Sequence, residues 1–224
     1  MIPIRDENPT HTTPIITYLL IALNILVFVF QTLLGGSNES FVYQFALIPV
    51  ELTSTFSLEN ISNIFSSMFM HAGLAHIGGN MLYLWIFGDN VEDRLGSVRY
   101  LIFYIVGGLI ASLAHVITNP LSQVPTVGAS GAIAAVLGAY LVLYPRQRVL
   151  TLIPLGFFLR LTMLPASLVL GVWFLLQFFQ GVMTIGGPDV GGVAFWAHIG
   201  GFVSGVLLSQ IFKKPESSYP AYHW

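Results

Sequence analysis

Cysteine is absent from the 224 residues, and charge is scarce: eight Lys and Arg with ten Asp and Glu make up 8% of the chain. The first absence excludes a disulfide framework, a cysteine zinc site and a thiol nucleophile. The second excludes a soluble globular enzyme or a disordered regulator, because an ordinary soluble domain carries roughly a quarter charged residues. A formal net charge of −2 leaves no basic stripe to neutralise phosphates, so no nucleic acid partner is expected. Internal repeats, low-complexity tracts and heptad seams are missing as well. What the chain has in excess is apolar residues, 55% by count, gathered in long runs. The expectation is an all-α polytopic membrane protein, one domain over residues 1–224.

A bilayer core of about 30 Å takes roughly 20 mostly apolar residues per helix. Six segments meet or approach that length, at about 15–34, 72–87, 98–117, 130–144, 162–185 and 194–212. The first is too long, and lacks the small-residue cleavage site, for a removable signal peptide. Threading six spans back and forth puts Arg5, Arg94, Arg99, Arg146, Arg148, Arg160, Lys213 and Lys214 on one side, which is every basic residue. The opposite loops hold only Glu39, Glu51, Glu59 and Asp189. The positive-inside rule then places both termini, residues 1–14 and 214–224, in the cytoplasm of a plasma membrane. The outer loop 35–71 is amphipathic and reads as one or two short helices lying in the lipid interface.

Polar side chains inside a membrane are costly, so each marks a candidate site. They are Asn24, His76, Asn80, His115, Ser130, Gln177 and His198. The second, fourth and sixth spans all enter from the outer face; His76 and Asn80 lie about one and two turns into the second, Ser130 begins the fourth, and His198 lies about one turn into the sixth. The fourth span has only about 15 residues, or about 22 Å of helix, so Ser130 starts below the outer surface. Four groups therefore converge on one outer-third layer, where a transmembrane relay would spread them from face to face.

That set suits acyl transfer. Ser130 lies in Gly128-Ala129-Ser130-Gly131, where small neighbours leave the hydroxyl accessible and the free N–H groups of a helix start can donate to an oxyanion. His198, with an ordinary pKa near 6.5, can take the hydroxyl proton. His76 and Asn80 are spaced i, i+4 and share a helix face, adding donors for developing negative charge. Close approach of the fourth and sixth spans is served by small residues at four-residue spacing, Gly201 and Gly205 facing Ser130, Ala134 and Gly138. No carboxylate stands at this depth, and Asp189 reads as a solvated loop residue, so a Ser–His dyad with the histidine held by packing is expected.

Plainer readings compete. Ser130 can be a helix cap and Asn80 an interhelical link. His71 reads as a tie between the outer loop and the second span, His115 as packing, and Asn24 and Gln177 as helix–helix contacts. No metal site is expected: His71 and His76 at i, i+5 have poor geometry on one helix, and no HExxH is present. Segment 92–96 reads as structural, Gly96 permitting a tight turn and Ser97 capping the third span.

Over essentially its whole length the chain resembles the rhomboid intramembrane serine proteases. The resemblance rests on His71-Ala-Gly-Leu-Ala-His76-Ile-Gly-Gly-Asn80, on Gly128-Ala-Ser130-Gly131, on Ala197-His198-Ile-Gly-Gly201-Phe-Val-Ser-Gly205, and on Glu92-Asp-Arg94-Leu-Gly96. It implies a six-helix bundle, Ser130 as nucleophile and His198 as general base. The oxyanion hole would come from His76, Asn80 and the backbone N–H groups of Ser130 and Ala129, with Gly128, Gly131, Gly201 and Gly205 as close-packing glycines. It implies a tilting fifth helix that admits substrate, single-span protein substrates cut near the outer surface, contact with membrane lipids, and no cofactor. Position 134 is Ala where certain members carry a Tyr that stacks on the histidine, and the first loop lacks a Trp-Arg pair. The competing functions are an inactive relative that binds transmembrane helices, and a small transporter, for which repeat symmetry and mid-membrane polar groups are missing.

Overall fold

The computed structural model describes all residues except 56, 157, 188–191 and 215–224. The tail, apart from Lys214, and Asp189 therefore lie outside the described residues. Nine helices and three strands follow one another among those described. Four helices are long and apolar enough to cross a membrane: α1 (Ile15–Leu33), α6 (Ser97–Thr118), α8 (Ala166–Met183) and α9 (Phe195–Phe212). Two more belong to the same bundle. Helix α5 (Leu74–Leu95) runs about two turns past the expected apolar stretch and ends in the charged Glu92-Asp93-Arg94. Helix α7 (Ser130–Leu143) has 14 residues.

Helix α7 is the axis of the molecule. Ten consecutive residues, Gly131 to Tyr140, are buried, as expected of a helix apolar all round. Lipid tails give no hydrophobic drive between helices, so packing must hold the bundle. A Cβ on Gly201 would land on the carbonyl oxygen of Gly131, one on Gly205 on that of Ala135, and one on Gly138 on that of Phe202. Helices α7 and α9 thus meet backbone to backbone at three points, over about two turns of α7. Around them Phe87, Tyr100, Phe103, Tyr104 and Tyr140 are fully enclosed.

The loop 35–71 forms a 3-10 turn at Gly35–Ser37 and three short helices, α2 (Asn38–Phe45), α3 (Pro49–Ser54) and α4 (Leu58–Ser67). It braces the segment leading into α7. Leu47 and Thr126 pair through two backbone hydrogen bonds, Val50 N–H donates to Ser122 C=O at 3.0 Å, and Gly128 N–H to Ser67 C=O at 2.8 Å.

The all-α expectation needs correction. A three-stranded antiparallel sheet, β1 (Ile2–Asp6), β2 (Arg148–Leu155) and β3 (Phe158–Pro165), caps the other end of the bundle. Residues 148–165 form a hairpin in register from Arg148 opposite Pro165 to Leu155 opposite Phe158. The N-terminal segment adds the outer strand, with Ile2 opposite Leu152. Thr162–Pro165 consequently belongs to β3, and the fifth apolar helix starts at Ala166, where Pro165 supplies a fixed φ before the first turn.

In the 92–96 segment the expected turn at Gly96 is present and the expected Ser97 cap is not. Gly96 turns the chain at φ +84°, but Ser97 does not cap α6; its hydroxyl donates to Glu92 Oε1 at 2.6 Å. The buried Glu92 carboxylate instead caps α1, whose own cap residue Pro14 has no side-chain bond. It accepts Ile16 N–H at 3.0 Å, Thr17 N–H at 2.7 Å and the Thr17 hydroxyl at 2.8 Å, a favourable place for negative charge.

Candidate active site

Three helix starts meet beneath the braced loop. In α5, His76 stands in the first turn and Asn80 one turn further. His76 Nδ1 accepts the Ala72 backbone N–H at 3.4 Å, so the ring proton belongs on Nε2. Asn80 is buried, and its Nδ2 is a buried donor without a partner among the described residues. Ser130 is the first residue of α7, preceded by Ala129 at the cap position, and the N–H groups of that first turn have no intrahelical acceptors.

Gly128 joins these two starts. Its φ is +134°, a conformation that L side chains rarely adopt. A Cβ there would stand 2.8 Å from His76 Nε2 and 3.6 Å from Ser130 Oγ. The missing side chain lets the His76 donor edge and the serine hydroxyl face each other across the backbone.

His198 enters from the first turn of α9 and is buried. Its neighbour Ala197 packs on Gly131, whose added Cβ would lie 3.8 Å from the Ala197 Cβ. Ser130, His76, Asn80 and His198 all line one cavity of about 1050 Å³. Residues of segment 118–127 and residues on either side of the α8–α9 connection line it as well. Among the described residues the Ser130 and His198 side chains share this cavity without a hydrogen bond between them; such bonds are often long before substrate arrives.

Sequence reasoning missed how His198 is held. Gln177, expected as a plain helix contact, places Oε1 2.7 Å from His198 Nδ1. Trp173, one turn earlier on α8, lies with its ring centroid 5.7 Å from the imidazole at 35°. The polar residue in an apolar span was the available signal, but its partner lies on another helix. His71 is clamped through its backbone: its N–H donates to Gln31 Oε1 at 3.0 Å, and its ring packs edge-on to His76 at 5.1 Å. His115 meets the Thr126 hydroxyl at 3.1 Å, and Asn24 bonds back to Leu20 C=O within α1. Among the described residues no three His, Asp or Glu side chains are grouped to hold a metal.

The family model of the Rhomboid domain matches residues 58–215. The chain is 29% identical over 204 residues to rhomboid protease GluP of Bacillus subtilis, covering 91% of this chain and 36% of that protein. It is 31% identical over 157 residues to RHOMBOID-like protein 1 of Arabidopsis thaliana, covering 70% and 36%. With rhomboid protease GlpG of Haemophilus influenzae the identity is 29% over 199 residues, covering 89% of this chain and 91% of that one. The chain thus spans about a third of the first two relatives and nearly all of the third. A family match over most of the bundle, including every helix that contributes to the cavity, identifies the chain as a member of the rhomboid family.

Proposed function

We propose that the chain is an intramembrane serine endopeptidase acting on single-span membrane proteins near the outer surface of a plasma membrane. In this reading residues 1–224 form one domain of six crossings, α5 and α7 completing the four long apolar helices, with both termini cytoplasmic. Ser130 Oγ attacks the scissile carbonyl carbon while its proton passes to His198 Nε2. The carbonyl oxygen becomes an oxyanion that accepts from His76 Nε2–H, Asn80 Nδ2–H and the first N–H groups of α7 around Ala129 and Ser130. The C–N bond breaks as His198 returns the proton to the leaving amine. Water, with His198 as base again, then hydrolyses the acyl ester and restores Ser130. No cofactor enters these steps.

One observation carries the reading: a hydroxyl, an imidazole and two side-chain donors, brought by three helices, line the same cavity. The GluP and GlpG relatives, both named rhomboid proteases, support it. The test is cleavage of a single-span reporter by protein reconstituted in liposomes. Ser130→Ala and His198→Ala are expected to abolish cleavage with melting temperatures unchanged, and Asn80→Ala to lower kcat by about 10²-fold. Undiminished cleavage by Ser130→Ala overturns the reading.

A further inference from the structure

Gln177 and Trp173 are spaced i, i+4 on α8, so both leave the same face of that helix, and both meet His198. An amide oxygen only accepts. Oε1 at 2.7 Å therefore keeps the ring proton on Nδ1 and leaves the lone pair on Nε2. His198 is buried, so this bond forms where water competes poorly. Helix α9 offers no substitute: the residues three and four positions from His198 on that helix are Phe195, Gly201 and Phe202, none with a side-chain acceptor. The facing position on α7 that lies one turn past Ser130 is Ala134.

We propose that Gln177 is the positioning residue of His198: from α8 it holds the imidazole in the tautomer and rotation that turn Nε2 toward the Ser130 side of the cavity, with Trp173 packed on the ring. The proposal rests on the reading of Ser130 and His198 as the reacting pair. It adds that a hydrogen bond from a neighbouring helix, and not packing alone, holds the base. The neutral amide fixes geometry as a carboxylate would, without placing a second charge in the bundle.

The test compares Gln177→Met, Gln177→Ala and Gln177→Glu with the unaltered protein in liposomes, measuring kcat, KM and melting temperature with a single-span reporter. Removing the acceptor is expected to lower kcat per folded protein about tenfold, the value of one lost hydrogen bond, with KM unchanged and melting temperature lowered by only a few degrees, the cost of one unpaired buried N–H. Glu keeps an acceptor in either protonation state and is expected to restore kcat to near the starting value. The rate of Ser130 labelling by a fluorophosphonate should follow the same order, because no peptide binding enters that readout. If Gln177→Met fails to fold, Gln177→Ala decides, since it opens space without setting an apolar group against the ring N–H. Unchanged kcat in the Met and Ala variants, or an equal loss in the Glu variant, overturns the proposal. Ser130→Ala and His198→Ala run alongside: full activity in those would instead remove the reacting pair on which the proposal stands.

Discussion

Asp6 ends β1 with its carboxylate accepting the Tyr140 hydroxyl at 2.5 Å, tying the sheet to the central helix. Burial pushes its carboxyl up to about 6 from 3.8; the Tyr140 hydrogen bond pulls down and only partly offsets this. The folded chain therefore holds the Asp6 proton more tightly than the unfolded chain. The stabilisation from this group is complete below about pH 4 and is lost as pH rises through 6. Asp6→Asn keeps an acceptor for Tyr140 without the ionisation. It is expected to stabilise the protein at pH 8 by about 1 kcal/mol, allowing for partial solvent screening. That corresponds to about 2–4 °C in melting temperature, and the gain should vanish at pH 4. A gain independent of pH would show that ionisation is not the cause. At Gly128 both φ and the nearness of the His76 ring require a residue without Cβ, which the Gly-Ala-Ser-Gly spelling alone does not reveal.

Helix contacts carry the next level of specification. Since a Cβ at Gly205 meets the Ala135 backbone, neither partner can rotate away, and the helices must part. Gly205→Val is expected to destabilise by about 3 kcal/mol or more and to lower cleavage with it, read by thermal melting and the reporter assay. A Val variant with native stability would contradict the backbone contact. The apolar helices were legible in the sequence because lipid demands long apolar runs: α1, α6, α7 and α9 begin and end within one residue of expectation. The sheet was not. Residues 148–165 are apolar enough to merge with the following span, and the third strand comes from Ile2–Asp6, about 150 positions distant in sequence, a pairing no local pattern records. The same limit applies at the site. Ser130, His76, Asn80 and His198 stand out as polar residues at one depth, whereas the bonds from Gln177 to His198 and from Glu92 to α1 exist only once the helices are packed.

At the scale of the whole molecule the two ends differ. One end holds the cavity, the short helices of the 35–71 loop and their acidic residues; the other holds the sheet with Arg5, Arg148 and Arg160. Negative surface potential on a cytoplasmic leaflet attracts basic residues, and the orientation proposed above puts this end there. Single cysteines test this cleanly, because the chain has none of its own. An impermeant maleimide is expected to label Glu59→Cys in intact cells and Glu7→Cys only after the membrane is opened. Labelling of both in intact cells would contradict six crossings with cytoplasmic termini.

Activation of the Ser130 hydroxyl by His198, as proposed, is read from the mass of the detergent-solubilised protein after treatment with a fluorophosphonate, with the modified peptide sequenced. The expected result is one adduct on Ser130, formed far more slowly in His198→Ala of unchanged melting temperature. An unmodified Ser130, or the same labelling rate without the histidine, would contradict it.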